Sequence, residues 1–573
     1  MDESSIIEPV GLVDISISTL AVSLLPLVGV AFASHQMGLQ LESPIVVGMI
    51  RAFVQLSILG AILVPIFYYG TLRWWIVAIY MLFMIVLASY EASSRSLYYF
   101  KGMSLVILLA FLVNIVLISI FAFGIVIRPT PVWDPQYVIP IVGMLLGNCI
   151  NGVALAVNSI LTGFVEQASE IELYLSFGAT SGEASARLVQ EAVRIGAMPT
   201  LNSMSVIGLI SIPGMMTGQI LGGSPVQEAA RYQMLIMYLI ATVTFGTILL
   251  EAWFVRQVAF SYDHRLDTSH FIKRPAKTSF LERVGNGLKA VSDSLLRSST
   301  LTTTTPTRDT SMDHNERTPL KEAAQSPIQL DASSVSSSPE GSIELVHMGE
   351  AMASAAIPRL EMRRMSRTVS NGRILFQDLS VQLQMGEIVA VRGPSGIGKS
   401  QLLRLVAGLV RNKQEDGEIF LDGENMNSFH MTQWRREVRY VSQYKIEIPG
   451  TPTDFIKYFM RFGAWKRQPL TPADVLSATT ALVTDWGMGG SVLNAEWKQL
   501  SGGEAQRVFL AIAIASQPAA LLMDESTSAL DHTSKRKVEE SVRRIAAQRG
   551  IAVLMITHDE GQVERMGKAS SVE

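Results

Sequence analysis

The first 260 residues contain seven long apolar stretches separated by short polar segments. The hydrocarbon core of a bilayer is about 30 Å thick, so a helix needs about 20 apolar residues to cross it. The stretches come close to this length, and charged residues become frequent only after them. The pattern predicts an all-α transmembrane bundle of about seven helices. The predicted spans are residues 12–33, 45–69, 74–90, 104–127, 137–161, 199–222 and 231–255.

The sixth predicted span is interrupted by Pro213 and several glycines, so it is either a crossing or a re-entrant segment. With seven crossings, the two ends of the bundle lie on opposite sides of the membrane. If the C-terminal soluble part lies in the cytosol, Arg95, Lys101 and Arg256 also face the cytosol, as the positive-inside tendency prefers. The N-terminal sequence MDESSIIEPVG is acidic, whereas a secretory signal begins with basic residues, so we expect no cleaved signal peptide.

The composition supports a membrane part joined to a soluble part. Of the 573 residues, 49% are hydrophobic and 17% are charged, and the net charge is -3, which argues against a nucleic-acid partner. Cys149 is the single cysteine, so an intrachain disulfide or a cysteine metal cluster is excluded. We predict three regions: a transmembrane domain at 1–261, a disordered linker at 262–355 and a soluble domain at 356–573.

Several polar residues lie within the predicted spans. Arg51 and Glu251 are intramembrane charges, which usually face a bundle interior and serve a function, although Arg51 is also placed to reach the cytosolic interface. Asn148 and Asn151 either bond across a helix contact or line a substrate path. Four methionines are either soft metal ligands or fill gaps in apolar packing: Met215, Met216, Met234 and Met237.

A polar segment between the fifth and sixth spans predicts a pair of short helices. Thr180 and Glu183 have the spacing of a capping box, so a helix should begin there, and Gly178 precedes it as a turn. Such a turn on the cytosolic side resembles the coupling helix through which ATP-binding-cassette (ABC) permeases contact their ATPase. The alternative is an ordinary amphipathic surface helix.

The predicted linker is rich in serine, threonine and proline between residues 296 and 342. It has few large apolar side chains and cannot bury enough surface to offset its chain entropy, so we expect disorder. Three Ser/Thr-Pro pairs are candidate phosphorylation sites, although the linker also fits a passive tether: Thr318-Pro319, Ser326-Pro327 and Ser338-Pro339.

Residues 393–400 match the phosphate-loop spacing G-x-x-x-x-G-K-[ST]. An apolar strand at 388–391 precedes the loop and a helix at 401–409 follows it, which is the required context. The backbone N–H groups of such a loop wrap the β-phosphate of ATP. Lys399 is expected to bridge the β- and γ-phosphates and Ser400 to bind Mg²⁺. The predicted contacts are Gly393, Ser395, Gly396, Gly398, Lys399, Ser400 and Gln401.

A second phosphate-binding sequence, Leu-Ser-Gly-Gly-Glu, occupies residues 500–504 at the start of a predicted helix. The N-terminus of a helix carries about half a positive charge and binds anions. Two phosphate sites about a hundred residues apart suggest that ATP is held between two chains, with Ser501, Gly502 and Gly503 of one copy facing the phosphate loop of the other. This stretch resembles the signature sequence of ABC transporters.

Four further residues complete the predicted hydrolytic site. Asp524 and Glu525 end a buried apolar strand, and we expect Asp524 to hold Mg²⁺ and Glu525 to polarise the attacking water. Gln443 ends another strand, where it can sense Mg²⁺ or that water, and His558 is placed to contact the γ-phosphate. Asp531 should meet its twin across the dimer. Each residue alone also fits a capping or solvated position, but their order and spacing favour an α/β phosphate-loop ABC ATPase.

The predicted ATPase departs from this family at one point. ABC ATPases usually place an aromatic residue about 25 residues before the phosphate loop, where it stacks on adenine. Residues 365–370 contain none, and Arg367 is the alternative that could stack on the base.

The membrane half resembles the permeases of bacterial Fet-type iron exporters and of plant aluminium-tolerance half-transporters. The resemblance lies in residues 51–56, 138–144, 147–148, 175–180 and 206–218. The soluble half is similar to the partner ATPase of these systems, so permease and ATPase are fused here and a homodimer would complete two ATP sites. The resemblance implies ATP-driven export of iron or, in the plant branch, of a nucleotide sugar such as UDP-glucose. A membrane-anchored ATPase that moves no solute is the alternative, and import is disfavoured.

Overall fold

We describe the fold from a computed structural model of the chain. It describes residues 16–275, 343–348, 357–369, 372–410, 417–443 and 448–567. The described parts of Met1–Tyr68 and Pro275–Pro339 belong to one unit, and those of Tyr69–Arg274 and Glu340–Glu573 belong to a second. The acidic N-terminal residues and the three Ser/Thr-Pro pairs lie outside the described residues.

The described residues among the first 260 are mostly helical. Six segments are long and apolar enough to cross a membrane. The described helices are α1 (Ile17–Ser23), α2 (Leu25–Gln36), α3 (Glu42–Gly70), α4 (Trp74–Ser94), α5 (Met103–Phe121), α6 (Pro135–Glu166), α7 (Ala168–Ser176), α8 (Ser181–Val206), α9 (Gly214–Leu221) and α10 (Val226–Ala259). A π-helical turn, Ala122–Ile127, continues α5.

The predicted sixth span at residues 199–222 is interrupted, as its Pro213 and glycines indicated, and no single helix covers it. The helix in this region, α8, begins at Ser181 and ends at Val206. The chain then makes an irregular turn in which Gly208 has a positive φ of 81°, and Pro213 precedes the short helix α9. Pro213 is the N-cap of α9, a position where its missing N–H removes no helical hydrogen bond, so a new helix can begin there.

Helix α8 leads away from the ATPase within the second unit. The end of α7, which directly follows α6, and the beginning of α8 both adjoin the ATPase, because Arg439 donates to Ser176 O and the Gly463 N–H donates to Glu183. The end of α10 adjoins it too, since Arg435 donates to His264 O. Helices α6 and α10 are therefore parallel, and α8 must return the chain between them. It is not among the six apolar segments, which its charged first half explains.

Two glycines allow α6 and α8 to approach closely. A Cβ atom on Gly152 would lie 2.6 Å from Gly196 O, and one on Gly196 would lie 2.7 Å from Gly152 O. Helix α10 packs on both, with the Ile248 side chain beside the two glycines. Small residues at helix crossings permit this kind of contact in membranes. The three helices thus form the core of the membrane part of the second unit.

The C-terminal half contains a five-stranded sheet with the order β3-β6-β11-β10-β9. Strands β6, β9, β10 and β11 are parallel, and β3 is antiparallel at one edge. The central strands are buried on both faces, which is why they read as uninterrupted apolar runs. The strands are β3 (Glu344–Met348), β6 (Ile388–Arg392), β9 (Val438–Val441), β10 (Ala520–Asp524) and β11 (Ala552–Ile556).

A four-stranded antiparallel sheet with the order β5-β4-β7-β8 lies in the same half of the chain. Its strands are β4 (Leu360–Thr368), β5 (Ile374–Leu383), β7 (Glu418–Leu421) and β8 (Glu424–Asn425). The helices are α11 (Lys399–Val406), α12 (Met431–Glu437), α13 (Pro452–Phe459), α14 (Pro472–Asp485), α15 (Gly502–Ala515), α16 (His532–Arg549) and α17 (Glu560–Gly567).

Both ends of the predicted linker contain ordered residues. A two-stranded sheet pairs β1 (Tyr98–Tyr99) with β2 (Ile272–Lys273). At the other end, β3 pairs with β6. Residues 276–342, which contain most of the predicted linker, lie outside the described residues.

Candidate functional site

The phosphate loop connects β6 to α11, as its sequence predicts. Gly396 and Gly398 have positive φ angles of 80° and 104°, a conformation that favours glycine. A Cβ atom on Gly398 would lie 2.9 Å from the Leu375 Cβ, whereas one on Gly396 would meet nothing within 4 Å. The loop is therefore packed on one side and open on the other, where its backbone can receive an anion.

The Lys399 side chain folds back onto this loop. Its Nζ donates to the carbonyl oxygens of Gly393 and Pro394 at 2.7 and 3.0 Å. Burial lowers the pKa of Lys399, and the nearby Glu525 and Asp524 carboxylates act in the opposite direction. The ammonium group is thus held beside the open side of the loop.

Ser400 and Asp524 meet at the base of the loop. The Ser400 hydroxyl donates to Asp524 Oδ1 at 3.0 Å, and the Tyr440 hydroxyl donates to Asp524 Oδ2 at 2.8 Å. Burial raises the pKa of Asp524, and these two hydrogen bonds partly offset that effect. Oxygen ligands of this kind suit Mg²⁺, which prefers carboxylates and phosphates.

Glu525 is the residue around which the other predicted hydrolytic groups gather. Gln443 Nε2 donates to Glu525 Oε2 at 2.8 Å, and His558 Nε2 lies 3.1 Å from Glu525 Oε1. Glu525 has a φ of 46°, which is uncommon for a residue with a Cβ. The surrounding contacts hold this backbone conformation at the end of β10 and present the carboxylate to both partners.

The signature sequence forms the beginning of α15. Ser501 is the N-cap, and its hydroxyl and backbone N–H both donate to the Glu504 carboxylate. Ser501 and Gly502 are exposed, and a Cβ on Gly502 would meet nothing within 4 Å. The helix N-terminus is therefore accessible. Asp531 is also exposed and caps α16 by accepting from the N–H groups of Thr533 and Ser534.

The predicted residues fall into two groups in the single chain. One group surrounds the phosphate loop, and the other consists of the signature and the Asp531 cap at the N-termini of α15 and α16. Ser395 is exposed in the loop, and Gln401 lies in the first turn of α11. Arg367 lies on β4 opposite Phe376.

Sequence reasoning missed the role of Tyr440 as a partner of Asp524. The parallel pairing of β9 with β10 aligns Tyr440 with Leu522, two residues before Asp524. A polar side chain in an otherwise apolar strand that ends near Gln443 is the signal that could have found it. Arg373 was also missed, and its guanidinium lies 3.5 Å from Gly396 O in the phosphate loop.

The turn between α7 and α8 is inserted into the ATPase. Phe177 is fully buried, with ring centroids 4.7 Å from Phe459 and 5.1 Å from Phe455. The Arg439 guanidinium lies 4.0 Å from the Phe177 ring centroid, and Trp465 Nε1 donates to Phe177 O at 2.9 Å. Burial lowers the pKa of Arg439 to about 9. The predicted coupling turn is thus a true contact between the membrane and ATPase parts.

Two polar contacts flank this turn. Glu172 on α7 forms an ion pair with Arg404, which lies on α11 directly after the phosphate loop. On the other side, the Gly463 N–H donates to Glu183 Oε1 at 2.8 Å. Thr180 and Glu183 form the predicted capping box. The first contact connects the membrane half to the helix that carries Lys399 and Ser400.

A second contact is made by the segment that follows α10. Arg435 is fully buried and donates to the carbonyl oxygens of His264 and Gly408, each at 2.8 Å. Arg265 also donates to Gly408 O, at 3.2 Å. His264 Nδ1 accepts from the Ser181 backbone N–H at 3.2 Å, so this segment joins the start of α8 to the ATPase.

The polar residues of the membrane half have different environments. Arg51 is exposed on α3. Asn148 donates to Met144 O in its own helix, and Asn151 accepts from Arg95 at 2.8 Å. Met215 and Met216 lie on α9, and Met234 and Met237 lie on α10. Within the described residues, no group of three or more His, Cys, Asp or Glu side chains is placed to hold a metal ion.

Two protein families match separate parts of the chain. Residues 17–260 match an uncharacterised protein family (UPF0014). Residues 376–528 match the family described as ABC transporter.

Three relatives illustrate the similarity. The probable iron export permease protein FetB of Escherichia coli is 32% identical over 242 residues, which are 41% of this chain and 89% of FetB. The probable iron export ATP-binding protein FetA of the same organism is 32% identical over 221 residues, which are 38% of this chain and 92% of FetA. Protein ALUMINUM SENSITIVE 3 of Arabidopsis thaliana is 33% identical over 231 residues, 38% of this chain and 80% of that protein.

Proposed function

Because the chain belongs to the UPF0014 membrane-protein family in its N-terminal part and to the ABC transporter ATPases in its C-terminal part, we propose that it is a fused, homodimeric ATP-driven exporter. It is a multi-pass membrane protein whose ATPase domain binds and hydrolyses ATP in coupling with transport. The observation that carries the proposal is that its two parts match the permease and the ATP-binding protein named for one export process. The proposed domain bounds remain 1–261, 262–355 and 356–573, with the ATPase in the cytosol.

The proposed hydrolysis follows from the arrangement around Glu525. The open backbone of the phosphate loop receives the β- and γ-phosphates, and the Lys399 ammonium leaves the loop carbonyls to bind them. The Glu525 carboxylate accepts a hydrogen bond from the attacking water and holds its proton as the water attacks the γ-phosphorus. Gln443 and His558 orient this carboxylate, since both lie within hydrogen-bond distance of it.

We propose Ser400, Asp524 and Gln443 as the residues that hold Mg²⁺. The hydroxyl and carboxylate oxygens of the first two already lie 3.0 Å apart, which fits a small cation bound by oxygen. When bound, Mg²⁺ neutralises negative charge on the β- and γ-phosphate oxygens. Tyr440 keeps the Asp524 carboxylate directed toward Ser400.

The homodimer is proposed because the phosphate-binding residues of one chain form two separate groups. Ser501, Gly502 and Gly503 lie at a helix N-terminus, where the partial positive charge of the helix favours phosphate. In the proposed dimer this end faces the γ-phosphate held by the phosphate loop of the partner subunit. Asp531 lies at a neighbouring helix N-terminus and is proposed to reach the equivalent residue of the partner subunit.

We propose iron as the cargo, because the relatives that match both parts of the chain are named for probable iron export. A nucleotide sugar is the second candidate, because the sequence resemblance to the plant aluminium-tolerance half-transporters implies it. A membrane-anchored ATPase that moves no solute is the third.

The test uses purified protein in lipid vesicles with the ATPase outside. Iron export predicts ATP-dependent accumulation of Fe²⁺ in the vesicles and stimulation of ATP hydrolysis by Fe²⁺. Glu525→Gln should abolish both, whereas Glu540→Gln, an exposed substitution on α16, should change neither. Accumulation of UDP-glucose but not of iron would show that the cargo is a nucleotide sugar and not iron. Hydrolysis without accumulation of either solute would contradict both proposed cargoes.

A further inference from the structure

A buried polar cluster lies in the membrane part at the contact of α6 and α10. Glu251 is 1% exposed, and neither of its carboxylate oxygens has a hydrogen-bond partner among the described residues. Thr244 and Thr247 are also fully buried, and their hydroxyl oxygens also have no hydrogen-bond partner among the described residues. Buried polar groups are nearly always hydrogen-bonded, so several such atoms in one place require an explanation.

These three residues share one face of α10. Residues three, four and seven positions apart in an α-helix lie on the same side, which brings together Thr244, Thr247 and Glu251. With a rise of about 1.5 Å per residue, Glu251 lies about 12 Å along the helix from the end of α10 at Ala259. The carboxylate thus lies inside the bundle on the half that is nearer the ATPase.

The thiol of Cys149 on α6 faces this side of α10. Cys149 is fully buried. It lies three residues before Gly152 and therefore on the same face of α6. Thr247, Thr244 and Glu251 are the polar groups that act on its thiol. Gly152, one helical turn further along α6, has Thr244 Cγ2 and Ile248 Cδ1 beside it, which confirms that the two helices are in contact here. One sulfur and several oxygen atoms are therefore enclosed between two packed helices.

We propose that Cys149, Thr244, Thr247 and Glu251 form a binding site for one divalent first-row transition-metal ion. The charge of the side chains indicates which ion would bind. One thiolate and one carboxylate neutralise a dication, and a site with no net charge is the least costly within a membrane. The mixed sulfur and oxygen ligands suit a transition metal better than Mg²⁺ or Ca²⁺. Two neutral hydroxyl ligands keep the binding weak enough for release. This inference rests on the proposed export function and names the ligands of its cargo.

Metal binding is an exchange of charge. One dication enters, and one proton leaves the Cys149 thiol while a second leaves the Glu251 carboxyl, so the total charge of the site is unchanged. Two protons should therefore appear in the solvent for each bound metal ion. The enclosure of the four side chains between α6 and α10 implies that entry requires these helices to separate.

The test is an anaerobic titration of the full-length protein in lipid nanodiscs with Co²⁺. We expect one Co²⁺ per chain, an absorption band from thiolate-to-cobalt charge transfer and release of two protons. Cys149 is the only cysteine in the sequence, so such a band can arise from no other residue of the protein. Cys149→Ser should abolish the band, and Glu251→Gln should weaken Co²⁺ binding by at least about 100-fold, because even the loss of an outer-shell partner costs about 10- to 100-fold.

Glu228→Gln is the matched control, since Glu228 is an exposed glutamate on the same helix. Thr247→Val and Thr247→Ser provide a second pair in case Glu251→Gln does not fold, as judged by size-exclusion chromatography. Only the valine variant should weaken binding. A wild-type protein without the band, or equal affinity in wild type and Glu251→Gln, would overturn the site.

The result separates this inference from the proposed function. Iron accumulation in vesicles without a cobalt band would refute the site and leave iron export intact. A cobalt band that depends on Cys149 and Glu251, without iron accumulation, would support the site and refute iron as the cargo.

Discussion

Asp524 and Glu251 are both buried carboxylates, 2% and 1% exposed, but their surroundings are opposite. Asp524 accepts hydrogen bonds from Ser400 and Tyr440, whereas both oxygens of Glu251 lack partners among the described residues. An ionised carboxylate is costly to bury unless it is paired or hydrogen-bonded. The ATPase site therefore keeps its carboxylate ready before a ligand arrives, whereas the membrane site must obtain its compensation from a bound cation or proton.

The difference fits the tasks proposed for the two sites. A hydrolytic site gains from fixed groups that need no rearrangement during the reaction. A transport site must release its ligand after binding it, and a complete set of fixed partners would hold a cation too tightly.

The largest expected effect is the loss of Glu525. We predict that Glu525→Gln lowers the rate of phosphate release by about 100- to 10,000-fold, the usual contribution of a general base. Binding of ATP should persist, because the phosphate loop is unchanged. Phosphate release and ATP binding measured on the same preparation check this, with Glu540→Gln as the control. If Glu525→Gln hydrolyses ATP at nearly the wild-type rate, the assignment of Glu525 as the general base of the ATPase site is wrong.

The ATPase site could be predicted because its groups occur in short stretches of fixed spacing. The phosphate loop, Asp524 with Glu525, and His558 each follow a strand, and the parallel order of the strands brings them to one edge of the sheet. Tyr440 could not be assigned in this way, because its contact depends on the register between β9 and β10.

The membrane part was less predictable for a physical reason. Apolar length identifies most spans, but α8 carries charges in the half that adjoins the ATPase and ends before Pro213, so the apolar stretch at 199–222 contains only its last turns and α9. The proximity of Cys149 to Glu251 depends on how α6 and α10 pack, which a hydrophobic pattern does not contain. Glu251 was recognisable as an intramembrane charge, but its neighbours were not.

The next largest effect concerns the contact between the α7–α8 turn and the ATPase. Phe177→Ala should weaken docking of the α7–α8 turn by about 3–5 kcal/mol, the usual cost of removing a buried phenylalanine ring. Basal ATP hydrolysis should remain, but its stimulation by Fe²⁺ should be lost, because the bundle no longer transmits its state to the ATPase. Phe83→Ala is the control, since Phe83 is 57% exposed on α4. If Fe²⁺ still stimulates hydrolysis in Phe177→Ala, the contact formed by residues 263–265 is sufficient to couple the membrane part to the ATPase.

A smaller effect is expected from Tyr440→Phe, which removes one hydrogen bond from Asp524. A hydrogen bond to a charged group contributes about 1.5 kcal/mol or more, so the half-saturating Mg²⁺ concentration should rise by about ten-fold. Burial raises the pKa of Asp524 and the Tyr440 bond lowers it, so the variant should raise this pKa further. The acid limb of the pH–rate profile should therefore move to higher pH. Tyr262→Phe, at a fully exposed position, should change neither quantity.

The smallest expected effect is the pH dependence of the contact that residues 263–265, after α10, make with the ATPase. The pKa of His264 is lowered, first by burial and then by Arg435 and His430, while Glu183 and Asp263 act in the opposite direction. Since the folded pKa lies below that of the unfolded chain, the contact is fully stabilising above about pH 6.5 and weakens as the pH falls through the folded value. Protonation also removes the acceptor at Nδ1 that binds the Ser181 N–H.

Hydrogen–deuterium exchange checks this prediction. Between pH 7.5 and pH 5.5, and after correction for intrinsic exchange rates, protection at the start of α8 should fall by about five-fold, as expected for loss of a hydrogen bond of about 1 kcal/mol. His264→Asn, whose amide oxygen can replace the Nδ1 acceptor and does not titrate, should keep similar protection at both pH values, and exposed His35→Asn should behave like the wild type. A pH dependence that persists in His264→Asn would assign the titration to another group. The contact made by residues 263–265 would then not depend on the protonation of His264.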